Sequence, residues 1–128
     1  MSIYSISPDK HITLNDLRQI LESNMVLELS ASAKTQITAC RDYLDRKMAS
    51  QKEPIYGINT GFGSLCNVII PDHELGQLQT NLVMSHACGM GDEVPLEIVR
   101  IMLLLKIQSL SYGKSAVQLV TVQRLVDM

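Results

Sequence analysis

The sequence lacks a run of basic residues, a long apolar stretch and a signal sequence. Its 11 lysines and arginines are scattered and its formal charge is -2, which disfavours nucleic acid and anionic membranes as partners. The N-terminus has neither a basic start nor an apolar core of signal-peptide length. The longest apolar run, residues 101–105, is far shorter than the roughly twenty residues of a transmembrane helix. We therefore expect a cytoplasmic protein that binds no nucleic acid and no membrane.

Cysteine and histidine are too few and too scattered to predict a metal site or a disulfide framework. The 3 cysteines, Cys40, Cys66 and Cys88, are not at metal-ligand spacing, and the chain has only 3 histidines. Reduced thiols, as in the cytoplasm, are the simplest interpretation. Because the sequence places no base beside Cys66 or Cys88, we interpret both as small core residues and not as nucleophiles.

The pattern that is present is mainly helical, and 128 residues are enough for one domain. Thr13 and Asp16 form a capping-box pattern, Asp72 can cap a third helix, and Pro95 and Gly113 suit the two ends of a fourth. Residues 3–12 alternate weakly and predict a short β-hairpin. The predicted helices are about 14–23, 32–49, 72–88, 95–112 and 117–128, with a glycine-rich loop at 54–70. We predict a mainly α N-terminal helical domain over residues 1–128, with the hairpin and the loop.

The fourth predicted helix has no polar face. Of residues 98–105, all but Arg100 are apolar. Such a helix needs neighbours on all sides, and the rest of the chain offers few surfaces to enclose it. We therefore expect the chain to be part of a longer protein, or to bury this helix in an oligomer.

The most specific stretch is residues 56–63, a tyrosine followed by a loop rich in glycine: Tyr56-Gly-Ile-Asn-Thr-Gly-Phe-Gly63. Glycine permits left-handed backbone and lets another group approach closely. Tyr56 could be carried into a site as an acid or base, or could be an ordinary loop tyrosine packed under the turn. The loop lacks the lysine of a phosphate-binding loop, and its glycine spacing does not fit the dinucleotide pattern, so phosphate binding is disfavoured.

A second candidate lies at the end of the third predicted helix. His86 follows Leu82 on the apolar line of that helix by one turn, so it points where the leucines point. Together with Ser85 it would give a pocket wall a polar tip, as a small polar ligand requires. His86 could equally be a satisfied, partly buried side chain at a helix end.

Three ordered motifs resemble the N-terminal region of the histidine ammonia-lyases, within the aromatic amino acid lyase family. They are the loop Tyr56–Gly63 already given, Leu78-Gln-Thr-Asn-Leu-Val-Met-Ser-His-Ala-Cys-Gly89 and Leu103-Leu-Leu-Lys-Ile-Gln-Ser-Leu-Ser-Tyr-Gly113. The resemblance covers essentially the whole chain. It implies a lyase that removes ammonia from L-histidine without oxidation and gives trans-urocanate, a reaction of histidine catabolism.

The resemblance also implies roles for individual residues. Tyr56 matches the family's acid–base tyrosine, and Gly63 matches the loop glycine close to the substrate. Ser85 and His86 match the selectivity pair, which resembles Ser-His in histidine lyases, His-Leu in tyrosine lyases and Phe-Leu in phenylalanine lyases. The implied catalytic residues are Tyr56 and His86, and the implied substrate-binding residues are Gly63, Ser85 and His86.

The family's electrophile, 4-methylidene-imidazol-5-one, forms from an Ala-Ser-Gly tripeptide that this sequence does not contain. The resemblance therefore implies that the group belongs to the remainder of a longer lyase chain, which assembles as a homotetramer. This chain alone, with no cofactor or metal of its own, should be inactive. One departure is Ser115-Ala116-Val117, where family members usually have Ser-Gly-Val. The alternatives are a noncatalytic binding or assembly module on the same scaffold, or a family enzyme with another substrate.

Overall fold

The computed structural model describes residues 2–23, 25–51 and 53–128. Its elements in chain order are β1 (Ile3–Ile6), α1 (Leu14–Glu22), β2 (Val26–Leu29), α2 (Ala31–Ser50), α3 (Leu75–His86), α4 (Leu96–Ser111) and α5 (Leu119–Asp127). Two short 3₁₀ turns, Gly63–Leu65 and Asp72–Glu74, precede α3. The mainly helical fold is confirmed, and each of the five predicted helices is present near its predicted position. The chain divides into two compact units, residues 1–50 with 94–128, and residues 51–93.

The first unit has an apolar core to which both strands and four helices contribute. Its buried members are Tyr4, Ile6, Ile20, Leu29, Ala33, Ile37, Leu104, Ile107, Leu110 and Val122. On α4 only one face is covered in this way, and the apolar side chains of the other face are exposed, among them Ile98, Met102 and Leu105. Within its unit, α4 therefore lacks the neighbours on all sides that its sequence predicts.

The capping box predicted at the start of α1 is confirmed. The Asp16 amide donates to Thr13 Oγ1 at 3.2 Å, and the Thr13 amide donates to Asp16 Oδ2 at 2.9 Å. Lys10 Nζ donates to Asp16 Oδ1 at 2.8 Å. The Lys10 ammonium and the Thr13 donors hold the pKa of the Asp16 carboxyl well below its usual range.

The predicted hairpin of residues 3–12 is wrong. β1 pairs instead with β2 in parallel, with Ile3 opposite Val26 and Ile6 opposite Leu29. Parallel strands need a crossover, and α1 supplies it. Ile6 and Leu29 are both buried, so pairing with β2 places two apolar side chains in the core.

Two further details differ from expectation. Asp72 makes no capping bond, because a 3₁₀ turn occupies residues Asp72–Glu74 and α3 begins only at Leu75. Cys88 is exposed and Cys66 half-buried, so Cys88 is not a core residue. Cys88 follows the last turn of α3, a helix none of whose residues is buried.

The segment after α4 has two residues in the left-handed region. Gly113 has a φ of 61°, and a Cβ there would lie 2.5 Å from the Gln36 carbonyl oxygen on α2. Both the positive φ and the close approach of Gln36 therefore require glycine at this position, which agrees with its predicted role as the C-terminal cap of α4. Ala116 also has a positive φ, 52°, at the position where the resemblance leads one to expect glycine.

Over the described ranges, no helix combines the length and apolar character needed to cross a bilayer.

Candidate functional site

The sequence-predicted site residues all lie in the unit of residues 51–93. Its first part is the glycine-rich loop, which closes on itself through backbone hydrogen bonds. The Gly61 amide donates to the Val68 carbonyl at 3.0 Å, and the Ile70 amide donates to the Asn59 carbonyl at 2.9 Å. Thr60 and Ile69 form an antiparallel bridge between these bonds. The loop is thus a closed structure with its own hydrogen bonds.

Asn59 fastens the chain just ahead of Tyr56. Its side chain is 5% exposed, its Oδ1 accepts from the Ile55 amide at 2.6 Å, and its Nδ2 donates to the Glu53 carbonyl at 3.1 Å. Both ends of the amide are therefore satisfied by backbone groups on the segment that leads into Tyr56. Asparagine suits this task because its side chain mimics a peptide group within a turn.

The three loop glycines differ in what they require. Gly57 and Gly63 have φ values of 75° and 57°, in the left-handed region that side chains disfavour. A Cβ on Gly61 would lie 2.7 Å from Leu65 Cβ and 2.8 Å from the Leu65 carbonyl oxygen, so Gly61 permits a close approach within the loop. Around Gly63 a Cβ would meet nothing within 4 Å. The backbone at Gly63 is therefore open to an approaching molecule.

Tyr56 projects from this loop with 64% of its surface exposed. Its ring contacts the Phe62 ring edge-on, with centroids 6.1 Å apart and planes at 72°. Edge-to-face aromatic contacts of this kind are favourable and directional. The phenol is thus oriented by a neighbour in the same loop and remains accessible.

Ser85 and His86 form a hydrogen-bonded group at the C-terminal end of α3. Ser85 Oγ donates to the Leu82 carbonyl at 2.8 Å. His86 Nδ1 lies 2.9 Å from Ser85 Oγ and 2.9 Å from the same Leu82 carbonyl oxygen. Ser85 and His86 are both exposed, whereas the line of Leu75, Leu78 and Leu82 is half-buried. The imidazole is therefore held by Nδ1, and among the described residues its Nε2 makes no hydrogen bond.

The structure joins Ser85 to His86 directly, but it gives Tyr56 a separate setting. Among the described residues, no hydrogen bond or ring contact links Tyr56 with Ser85 or His86. Sequence reasoning assigned no role to Asn59; its position between two loop glycines, typical of turns, was the only available signal. In the part of the chain that the structure describes, no three acidic, histidine or cysteine side chains are grouped so as to hold a metal ion.

Comparison with known proteins gives a consistent family. A model of the aromatic amino acid lyase family matches residues 12–128. Histidine ammonia-lyase of Deinococcus radiodurans is 42% identical over 120 residues, which are 94% of this chain and 23% of that protein. The crystal structure of histidine ammonia-lyase from Trypanosoma cruzi is 35% identical with a TM-score of 0.81, over 98% of this chain and 24% of that one.

A solved structure outside the histidine ammonia-lyases has the same fold. Tyrosine aminomutase from Streptomyces globisporus is 26% identical with a TM-score of 0.86, and the match covers 99% of this chain and 24% of that one. The chain thus spans about a quarter of the length of the proteins it is similar to.

Proposed function

The chain belongs to the aromatic amino acid lyase family, and from that premise we propose that it is the N-terminal portion of a histidine ammonia-lyase. The whole enzyme would convert L-histidine to trans-urocanate and ammonia, as a cytoplasmic homotetramer of histidine catabolism. The observation that carries the choice of substrate is the pair Ser85 and His86 at the end of α3. The choice of L-histidine is also supported by sequence identity, which is higher to the histidine ammonia-lyases than to the tyrosine aminomutase.

In this proposal His86 orients the substrate. Its Nε2 can hydrogen-bond the imidazole of L-histidine, because Nδ1 is already engaged by Ser85 and Leu82. Fixing the ring fixes the adjacent β-carbon, and positioning of this kind lowers the barrier by removing the entropy of orientation. The open backbone at Gly63 leaves space for the substrate beside the loop.

Tyr56 is the proposed base that removes the β-proton of the oriented substrate. It is exposed, it lies on a loop with the conformational freedom of glycine, and its ring direction is set by Phe62. Closure of the loop over the substrate would exclude water from the reacting atoms. Tyr56 and His86 are therefore assigned as the catalytic residues, with Gly63 and Ser85 completing the substrate contacts.

The electrophile of the family, 4-methylidene-imidazol-5-one, does not fit the residues present here. The group is built from Ala-Ser-Gly, and the chain contains no such tripeptide. We assign to this chain only binding, orientation and proton transfer, and we expect the 128-residue chain by itself to form no urocanate. Urocanate absorbance above a buffer control would contradict that expectation.

The experiment that tests the substrate uses the longer protein proposed above, the full-length lyase of which this chain would be the N-terminal portion. L-Histidine, L-tyrosine and L-phenylalanine are supplied separately and ammonia release is measured for each. L-Histidine should give the highest kcat/KM. His86→Leu should lower kcat/KM for L-histidine at least tenfold while the folded fraction, followed by circular dichroism, stays unchanged. An unchanged kcat/KM in His86→Leu would remove His86 from the site, and preference for another amino acid would favour a family enzyme of different specificity.

A further inference from the structure

We propose that Ser85 and the Leu82 carbonyl lock the imidazole of His86 in the tautomer protonated at Nδ1, so that Nε2 is a lone-pair acceptor and selects ligands that carry an N–H donor. The proposal rests on the proposed function only for the identity of the ligand. The tautomer itself follows from contacts within α3.

The Leu82 carbonyl decides where the proton lies. Its oxygen can only accept a hydrogen bond, and it is 2.9 Å from His86 Nδ1. Nδ1 must therefore carry a hydrogen, because an unprotonated nitrogen would place two lone pairs against each other. In a neutral imidazole one nitrogen donates and the other accepts, and the hydrogen bond made by one fixes the role of the other. Nε2 is then the acceptor.

Ser85 reinforces this arrangement. Its hydroxyl hydrogen is used on the Leu82 carbonyl, since Ser85 Oγ donates there at 2.8 Å. The Ser85 oxygen is thus left with lone pairs facing His86 Nδ1 at 2.9 Å, where it accepts from the Nδ1 hydrogen. Serine and carbonyl together give the Nδ1 hydrogen two acceptors. Besides the substrate contact proposed for it above, Ser85 therefore also acts on the ligand through His86.

An acceptor at Nε2 has a chemical consequence for recognition. The ligand group opposite must offer a hydrogen, as the N–H of an imidazole does. A ring of the same shape without a donor would leave a lone pair facing a lone pair, and a hydrogen-bonding site discriminates strongly against an analogue that leaves its polar group unpaired. Ser85 and His86 would thus select L-histidine by the N–H group of its imidazole ring as well as by the shape of that ring.

The first test measures the tautomer in the 128-residue chain, labelled with ¹⁵N at histidine. Long-range ¹H–¹⁵N spectra are recorded at pH 8, where an ordinary imidazole is neutral, and His86→Gln identifies the His86 signals. His86 should show a protonated Nδ1 and a bare Nε2. Ser85→Ala should raise the fraction protonated at Nε2, and Ser85→Thr should restore the wild-type spectrum. Protonation of Nε2 in the wild-type chain would overturn the proposal, and an identical spectrum in Ser85→Ala would overturn the part of Ser85.

The second test measures selectivity in the longer protein. The probe is 3-(4-thiazolyl)-L-alanine, whose ring has the shape of imidazole and one acceptor nitrogen but no N–H. Its kcat/KM should fall about 10- to 100-fold below that of L-histidine, the cost of one unpaired hydrogen-bonding group. Ser85→Ala should reduce the difference in kcat/KM between L-histidine and the probe, and Ser85→Thr should restore the wild-type difference. Equal kcat/KM for both substrates would overturn the proposal.

The two tests separate this proposal from the proposed function. If the longer protein does not deaminate L-histidine, the function fails while the spectra still decide the tautomer of His86. If it deaminates L-histidine but Nε2 is protonated in the spectra, the function stands and the tautomer proposal fails.

Discussion

The side chain of Asn59 is the contact on which the geometry of the Tyr56 loop most depends, so Asn59→Ala is its sharpest perturbation. The substitution deletes the acceptor of the Ile55 amide and the donor to the Glu53 carbonyl. Losing an intramolecular hydrogen bond whose partner returns to water costs about 0.5–1.5 kcal/mol, and leaving a buried partner unsatisfied costs about 1–3 kcal/mol. The exposed Glu53 fits the first case and the half-buried Ile55 fits the second.

Together the two terms destabilise the closed loop by about 1.5–4.5 kcal/mol, which corresponds to about 10- to 2,000-fold more frequent opening. Amide hydrogen exchange measures this directly. The informative amides are those of Ile70 and Gly61, whose hydrogen bonds close the loop. Their exchange should accelerate by that factor in Asn59→Ala.

Asn67→Ala is the matched control, because Asn67 lies in the same loop but is exposed and receives only a contact from the Cys66 thiol at 3.7 Å. Surface substitutions of this kind usually change stability by less than about 0.5 kcal/mol. Equal exchange rates in Asn59→Ala and Asn67→Ala would refute the assignment of Asn59 as the residue that fastens the loop.

Three other predictions concern residues of the first unit, with one control, Gly91, from the unit of residues 51–93. Gly113→Ala should lower the free energy of unfolding by about 2–5 kcal/mol, the sum of left-handed backbone strain and a collision with the Gln36 backbone. Gly91 also has a positive φ but has open space around it, so Gly91→Ala should lower the free energy of unfolding by only about 1–2 kcal/mol. Urea titration of the two variants measures the difference. Ala116→Gly should stabilise by about 0.5–1 kcal/mol, because relieved strain exceeds the entropy cost of glycine, and a lower urea midpoint would contradict this. Folding lowers the pKa of Asp16, chiefly through Lys10. The stability that Asp16 contributes is therefore present above about pH 4 and is lost as the pH falls through the pKa of the folded state. Asp16→Asn should be less stable than wild type at pH 7, and the difference in stability should shrink in strong acid.

The start of α1 and the end of α4 were the most predictable parts of the fold, because their signals are local. Thr13 and Asp16 satisfy each other within one turn, and Gly113 ends α4 through its own backbone conformation. The pairing of β1 with β2 was not predictable in the same way. Each strand has only 4 residues, and their partnership depends on a crossover helix and a shared core.

The candidate site shows the same division. The residue types of Tyr56, Ser85 and His86 and the glycine content of the loop are visible in the sequence. The function of Asn59 is not, because its partners are backbone atoms whose positions exist only after the loop closes. The spacing of Leu82 and His86 in the sequence places them one helical turn apart. That the Leu82 carbonyl contacts both Ser85 and the imidazole of His86 is visible only in the structure.

The central claim is that this chain supplies the base and the substrate-orienting residue of a histidine-deaminating enzyme. The most direct measurement is the kcat for urocanate formation from L-histidine by the longer protein, in wild type, Tyr56→Phe and Tyr43→Phe. Tyr43 is the control because the residue is 59% exposed, close to the 64% of Tyr56, but it lies on α2 outside the loop. Loss of general base catalysis predicts a fall of about 10²- to 10⁴-fold in Tyr56→Phe and no change in Tyr43→Phe. A near-normal kcat in Tyr56→Phe would contradict the account.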